Sequence, residues 1–187
     1  MIVLGLDLST KMGVAFVESA GPTAAPQCLH KQEIHHELRR LDAKGKPKGK
    51  QKHPLDRWGE YVLSLEPLIK EYQPTLVVIE NYGFAGHGLA KLVEQATIIR
   101  YFLRQWGYDY QLLPPTSLKK FATGKGNAGK GTVMKEVLRR WAIDCETDNE
   151  ADAVALAFAG LGAHGLLPNM PAPNLAALDK LSDPAAD

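Results

Sequence analysis

Cysteine is almost absent from this chain. Cys28 and Cys145 are the only two, and they form no CxxC pair. Two isolated thiols build neither a disulfide framework nor a zinc site, and their scarcity suits a reducing compartment. Long apolar runs are lacking as well: no stretch approaches the ~18 apolar residues that a membrane helix requires. The opening MIVLGLDLSTK has no basic leader and no extended apolar core, so it reads as a β-strand and not as a signal peptide. These absences set the expectation of a soluble cytoplasmic protein with no membrane contact. What remains is ordinary globular material, 45% hydrophobic and 23% charged over 187 residues, enough for one domain with a proper core.

A surplus of either charge is also missing, since the formal net charge is +1, yet the charge is unevenly placed. Between Leu38 and His53 stand Arg39, Arg40, Lys44, Lys46, Lys48, Lys50 and Lys52 against one acid, Asp42, which leaves 15 of the 22 basic and 20 of the 21 acidic residues elsewhere. Such a split predicts an acidic body carrying a basic arm for a polyanion. The stretch AKGKPKGKQK has no apolar residue but Ala43. The whole basic segment, about 39–53, is expected to be a mobile loop whose lysines contact phosphates without reading bases.

Hydrophobic patterning orders the rest. IVLGLDL (2–8) is a nearly continuous apolar run, as in a central strand covered on both faces. GVAFVES from Gly13 returns antiparallel to it, and a third strand fits 27–34. Pro54 opens a helix whose Trp58, Val62, Leu65 and Ile69 share one face. LVVIE (76–80) is a second buried strand, and a long helix runs from about Gly88 to Trp106. Tyr110–Leu113 form a fifth strand, Ser117–Phe121 a short helix, and two further helices follow a glycine-rich loop at 124–131. The expected domain is 1–165; the proline-bearing segment 166–187 reads as a loose tail. This order predicts an α/β fold, a mixed five-stranded sheet flanked by helices as in ribonuclease H-like domains.

Asp7 lies inside the first apolar run and Glu80 closes the second. A buried lone carboxylate is costly, so each demands a partner, and adjacent strands would place the two side by side. In TDNEADAVALAFAG (147–160), Thr147 and Glu150 make a capping box that starts a helix. Asp148 and Asp152, four apart, then share a face, and Glu150 turns away. Like charges at that spacing repel unless a cation stands between them. The acids of the first turn are partly explained by the helix dipole; Asp152, among Ala151, Ala153, Val154 and Ala155, is not. Carboxylates without histidine or cysteine favour hard cations, Mg²⁺ or Mn²⁺, and two such ions suit in-line phosphodiester hydrolysis.

GLDLSTKMGVAF, VVIENYGF, SLKKFATGKGNAGKGTV and DNEADAVALA resemble, in this order, the landmarks of RuvC-type Holliday-junction resolvases, and most nearly the versions carried by bacteriophages. The resemblance spans about residues 2–160, without the basic insertion and the tail. It implies a Mg²⁺- or Mn²⁺-dependent endonuclease with two ions per site, held by Asp7, Glu80, Asp152 and a fourth acid. In bacterial members that fourth acid lies three residues before the last Asp, where this chain has Asn149. Asp148 is the first substitute and Glu150 the second. The resemblance further implies catalytic roles for Lys119 and Lys130 at the scissile phosphate and base stacking by Tyr82 or Phe84. It implies a homodimer as well, for which the second apolar stripe of the long helix (Ile98, Tyr101, Phe102) offers a face matched to the two-fold symmetry of a four-way junction. The expected products carry 5′-phosphate and 3′-hydroxyl ends.

Three rival readings are weaker. An RNA-processing nuclease of the YqgF type opens on a similar strand, but VVIEN and the lysine-bearing loop disfavour it. An actin-like ATPase or phosphotransferase needs two large lobes; and in Gly124…Gly129-Lys130-Gly131 the position that a phosphate-binding loop gives to Ser or Thr holds glycine. A non-catalytic DNA-binding module has no use for four mutually repelling acids.

Overall fold

The computed structural model describes residues 1–37, 39–41, 44, 46–81, 89–129 and 131–184, without the side chains of 39–41, 47, 49 and 89. Five strands make the main sheet: β1 (Ile2–Asp7), β2 (Lys11–Glu18), β3 (Gln27–His35), then, after a separate pair β4 (Arg39–Leu41) and β5 (Pro47–Gln51), β6 (Leu76–Glu80) and β7 (Tyr110–Leu113). The order across it is β3-β2-β1-β6-β7, with β1 antiparallel to β2, β2 to β3, and the β1–β6 and β6–β7 pairs parallel. The helices are α1 (Pro54–Tyr72), α2 (Leu89–Gln105), α3 (Pro115–Thr123), α4 (Thr132–Trp141), α5 (Asp148–Ala163) and the short α6 (Ala172–Leu175), with a 3-10 turn at Ala176–Lys180. The mixed five-stranded sheet between helices is the predicted architecture. None of the described helices is long and apolar enough to cross a membrane.

Strand alternation divides the core in two. Leu4, Leu6, Val14, Phe16, Val77 and Ile79 face α1 and α2, where Trp58, Tyr61, Leu65, Ile69, Ile99 and Leu103 fill the space. Val3, Ala15, Val17 and Val78 face the other way, onto α3, α4 and the alanine-rich α5. Because side chains alternate with period two, Asp7 belongs to the face of Val3 and Gly5, and Glu80 to the face of Val78. Both carboxylates therefore point to the α5 side.

α5 lies unusually close to the sheet. A Cβ on Gly5 would overlap the backbone carbonyl of Ala153, and one on Gly13 the carbonyl of Asn149. Only glycine permits this approach. The helix starts as the capping box predicts: the Thr147 hydroxyl accepts the Glu150 N–H at 3.2 Å.

Two expectations need correction. The loop expected over 39–53 contains β4 and β5, paired antiparallel as a ribbon. A two-stranded ladder is made by the backbone and needs no apolar side chain, which is why the composition hid it. Lys52 anchors its end, donating to both carboxylate oxygens of Glu60 at 2.6 and 2.7 Å. The tail expected to be loose from residue 166 is packed through Ser182. Leu175, Leu178 and Leu181, three apart, align along the 3-10 turn and its flanks and join the α3–α5 core. Asn174 donates to the Phe121 carbonyl at 2.6 Å, and Ser182 bridges to Leu112 of β7.

On α2, Ala96, Ile99 and Leu103 are buried. Of the second stripe, Ile98 and Phe102 pack partly on the α1-side core, and Tyr101 remains 57% exposed.

A candidate carboxylate cleft

Register alone assembles the acids. Asp7 pairs with Gly13 of β2, which pairs with Glu33 of β3. On the other side Leu6 pairs with Ile79, so Asp7 lies beside Glu80 at the ends of two parallel strands. One transverse row thus reads Glu33, Gly13, Asp7, Glu80. α5 rests on the gap at Gly13 and brings Asp148, Asn149 and Asp152 over the row.

The resulting cavity, ≈ 290 Å³, is lined by Glu80, Lys119, Asp148, Asn149 and Asp152 together with Pro115, Gly129, Gly131 and Val133. Asp7 stands behind it, 5% exposed. Burial, and then the charges of Glu80 and Asp152, raise the Asp7 carboxyl well above its ordinary value, and it hydrogen-bonds Glu80. Burial and the Asp152 charge push Glu80 up to about 7, against the opposing effects of the Asp7 hydrogen bond and Lys119. Burial and Asp148 push Asp152 up to about 6, again opposed by Lys119. Three neighbouring carboxyls all raised above their ordinary values mark a site of strong negative potential.

The same potential that binds a proton binds a divalent cation. The lining acids offer oxygen donors only, without histidine or cysteine, the donor set of a hard ion. Among the described residues no three such side chains are already drawn around a single point; Asp7 and Glu80 are instead turned to each other. Asp7, Glu80, Asp152 and Asp148 fit a hard divalent ion by chemistry and by neighbourhood.

Glu150, the second choice for the fourth acid, is not in the cleft. It is 6% exposed, accepts from Lys31 of β3 at 3.0 Å and from the Glu146 N–H at 3.0 Å, and serves as a structural ion pair. Asp148 is exposed and lines the cavity. Lys119 is placed there by α3. Lys130, Tyr82 and Phe84 lie outside the described residues, although Gly129 and Gly131 line the cavity. Lys44, Lys46, Lys48 and Lys50 are exposed and away from the cavity lining, whereas Lys52 is engaged by Glu60. The backbone of Arg39 and Arg40 belongs to β4.

Several supporting residues escaped the sequence reading. The turn after Asp7 is pinned by two buried side chains: Tyr61 donates to the Thr10 carbonyl at 2.5 Å and Gln95 to the Ser9 carbonyl at 3.0 Å. Glu33 accepts from Asn149 at 2.7 Å. Gly5 and Gly13 set the depth of α5. A glycine facing a helix within an apolar strand is the one signal among these that a sequence carries. A larger hollow, about 490 Å³, opens at the far end of α4 beside Trp141 and Phe158; its lining holds no carboxylate.

No protein-family model matches the chain. Individual relatives do. The crossover junction endodeoxyribonuclease RuvC of Rickettsia prowazekii is 30% identical over 175 residues, covering 87% of this chain and 98% of the relative. That of Rickettsia conorii is 33% identical over 172 residues, covering 84% and 95%, and that of a Synechococcus strain 27% identical over 164 residues, covering 86% and 97%. Among solved structures, Thermus thermophilus RuvC superposes with a TM-score of 0.70 at 18% identity, over 98% of this chain and 99% of that one. The same organism's RuvC in complex with a Holliday junction substrate gives 0.68 at 17%, over 89% and 98%.

Proposed function

The chain belongs to the RuvC family of crossover junction endodeoxyribonucleases, and from that membership we propose that it resolves Holliday junctions and related branched DNA by hydrolysing phosphodiesters at the carboxylate cleft. The observation that carries the proposal is the pairing of Asp7 with Glu80 on adjacent parallel strands under Asp152. Three crowded acids, each with its proton affinity raised, are a poor structural device and a good cation site.

Asp7, Glu80, Asp152 and Asp148 would hold two divalent cations, Mg²⁺ or Mn²⁺. When bound, such ions neutralise the cleft and stabilise the attacking and leaving oxygens of an in-line displacement. The rest falls to the chain itself. Ion binding would require Asp7 and Glu80 to exchange their mutual hydrogen bond for the cation. Lys119, which already lowers the proton affinity of Glu80 and Asp152, supplies positive charge where the phosphodiester would enter; Lys130 is assigned the same task. Tyr82 or Phe84 stacks on a base at the junction centre, and Arg39, Arg40, Lys44, Lys46, Lys48 and Lys50 of the ribbon neutralise phosphates along an arm. Lys52 drops out of that set, because Glu60 claims it.

Two copies of the chain, joined through the α2 face that exposes Tyr101, would present two clefts to opposing strands of a symmetric junction. The chain acts in the cytoplasm, residues 1–165 carry the nuclease, and the basic ribbon and Asn149 favour a member of the bacteriophage type.

The test incubates wild type and Asp7→Asn with labelled four-way junctions, duplex and single strands, with and without Mg²⁺. Paired nicks confined to the junction, seen only for wild type with Mg²⁺, are the expected result. Equal cutting of plain duplex, or cutting that survives Asp7→Asn, would overturn the proposal.

A further inference from the structure

The transverse row at the sheet's acid end begins with Glu33 of β3. Glu33 is two strands from Asp7, and its charge reaches Asp7. Above Gly13, Asn149 lays its backbone carbonyl on the sheet, is one of the residues lining the cavity and donates from Nδ2 to Glu33 Oε2 at 2.7 Å. Partial burial pushes the Glu33 carboxyl up, but hydrogen bonds from Asn149 and Thr147 and the nearby Lys11 ammonium outweigh this and keep it below the usual carboxylate range; the Lys11 Nζ lies 3.5 Å away. An ionised carboxylate only accepts hydrogen bonds, so it fixes which arm of the Asn149 amide faces it. The amide is planar, so with the NH₂ arm held on β3 the carbonyl arm is directed away from Glu33 and is left for another partner.

We propose that Glu33 is a positioning residue that grips Asn149 so that Asn149 Oδ1 serves as a neutral oxygen donor to the divalent cation of the cleft. This rests on the reading of the cleft as a cation site. Electrostatics explains why the donor is an amide. A carboxylate at position 149 would stand at hydrogen-bond distance from Glu33 and one turn from Asp152, adding a negative charge to a cleft that already drives its acids to hold protons. An amide contributes the oxygen without the charge. The rival explanation is a plain staple between β3 and the start of α5, which would affect stability and leave cation binding alone.

The experiment measures Mn²⁺ binding by calorimetry, and thermal unfolding in EDTA, for wild type and four variants. Outer-sphere partners of metal ligands contribute roughly 10- to 100-fold in affinity. Glu33→Ala and Asn149→Ala should each weaken Mn²⁺ binding about tenfold or more. The double variant should be no weaker than the worse single, because both remove one unit. Glu33→Gln, whose amide oxygen can still accept from Asn149 but whose NH₂ can also face the Asn149 carbonyl, should lose clearly less than Glu33→Ala. Wild-type affinity in Glu33→Ala would overturn the proposal, as would equal losses in Glu33→Gln and Glu33→Ala. If Glu33→Ala fails to fold, unchanged Mn²⁺ binding by Asn149→Ala overturns it equally. Failure of wild type itself to bind Mn²⁺ would instead strike the cleft reading, and the two failures are therefore distinct.

Discussion

The acid cleft and the basic ribbon are built on opposite principles. In the cleft, like charges are crowded and fixed by strand register and by a helix pressed onto glycine, so loss of water and neighbouring negative charge raise the hold of Asp7, Glu80 and Asp152 on protons. In the ribbon, like charges stand exposed on alternate positions of β5 and the residues before it, where water and salt screen them. The first arrangement stores energy that a small cation can release; the second offers a diffuse field to a long polyanion. Position should therefore matter steeply in the cleft and weakly in the ribbon.

The sharpest way to break this contrast is Asp152→Asn. Single-turnover cleavage of a junction should fall by more than about a hundredfold, beyond the usual reach of outer-sphere partners, while junction binding in EDTA stays or tightens because a charge facing the phosphates is gone. Next comes Gly13→Ala, which touches no acid. Forcing α5 off the sheet should cost about 2–3 kcal/mol in denaturant unfolding and reduce cleavage beyond what stability explains, because Asp152 moves with the helix. Intact cleavage in that variant would mean that the depth of α5 is not decisive.

A pH series in EDTA probes the stored energy directly. For an acid whose folded pKa is raised, the folded state binds more protons than the unfolded one, so the stabilisation is complete below about pH 4 and is lost as pH rises through the folded values. With Asp152 near 6 and Glu80 near 7, the melting temperature should drop by several degrees between pH 5 and 8, and millimolar Mg²⁺ or Mn²⁺ should flatten the slope. A midpoint independent of pH without metal would remove the picture of a strained cleft. The smallest effects belong to the ribbon. Changing Lys44, Lys46, Lys48 and Lys50 together to Gln should weaken junction binding and lower the salt slope by about three, with single-turnover cleavage at saturation nearly unchanged. Lys52→Gln should leave that slope alone and cost under about 1 kcal/mol of stability.

How much of this was legible in the sequence follows the same division. Asp7 and Glu80 could be flagged because a carboxylate in an apolar run is anomalous, and period two assigns their face once the sheet is known. Asp148 and Glu150 could be ranked by helical geometry, and the Lys31 ion pair of Glu150 agrees with that ranking. Glu33 could not be found: its alignment with Asp7 depends on register across two antiparallel pairs, one of them shifted between Phe16 and Val17. Tyr61 and Gln95 carry no local signal, since their work is to hold carbonyls of a distant turn. The sequence makes the ribbon look unstructured and the tail loose for one reason. Composition reports what can be buried and says nothing of backbone pairing, and the prolines of 166–184 masked a leucine spacing of three.

The bridge between Leu112 and Ser182 has a consequence of its own. β7 ends the sheet, and an unpaired terminal strand invites another chain to extend it. The Leu112 N–H donates to the Ser182 carbonyl at 2.8 Å and the Ser182 N–H to the Leu112 carbonyl at 3.0 Å, so the polypeptide hems its own border. A shortened version ending at residue 165 would keep every acid of the cleft and yet leave that border open, trading a covered edge for one inclined to pair with other chains and aggregate.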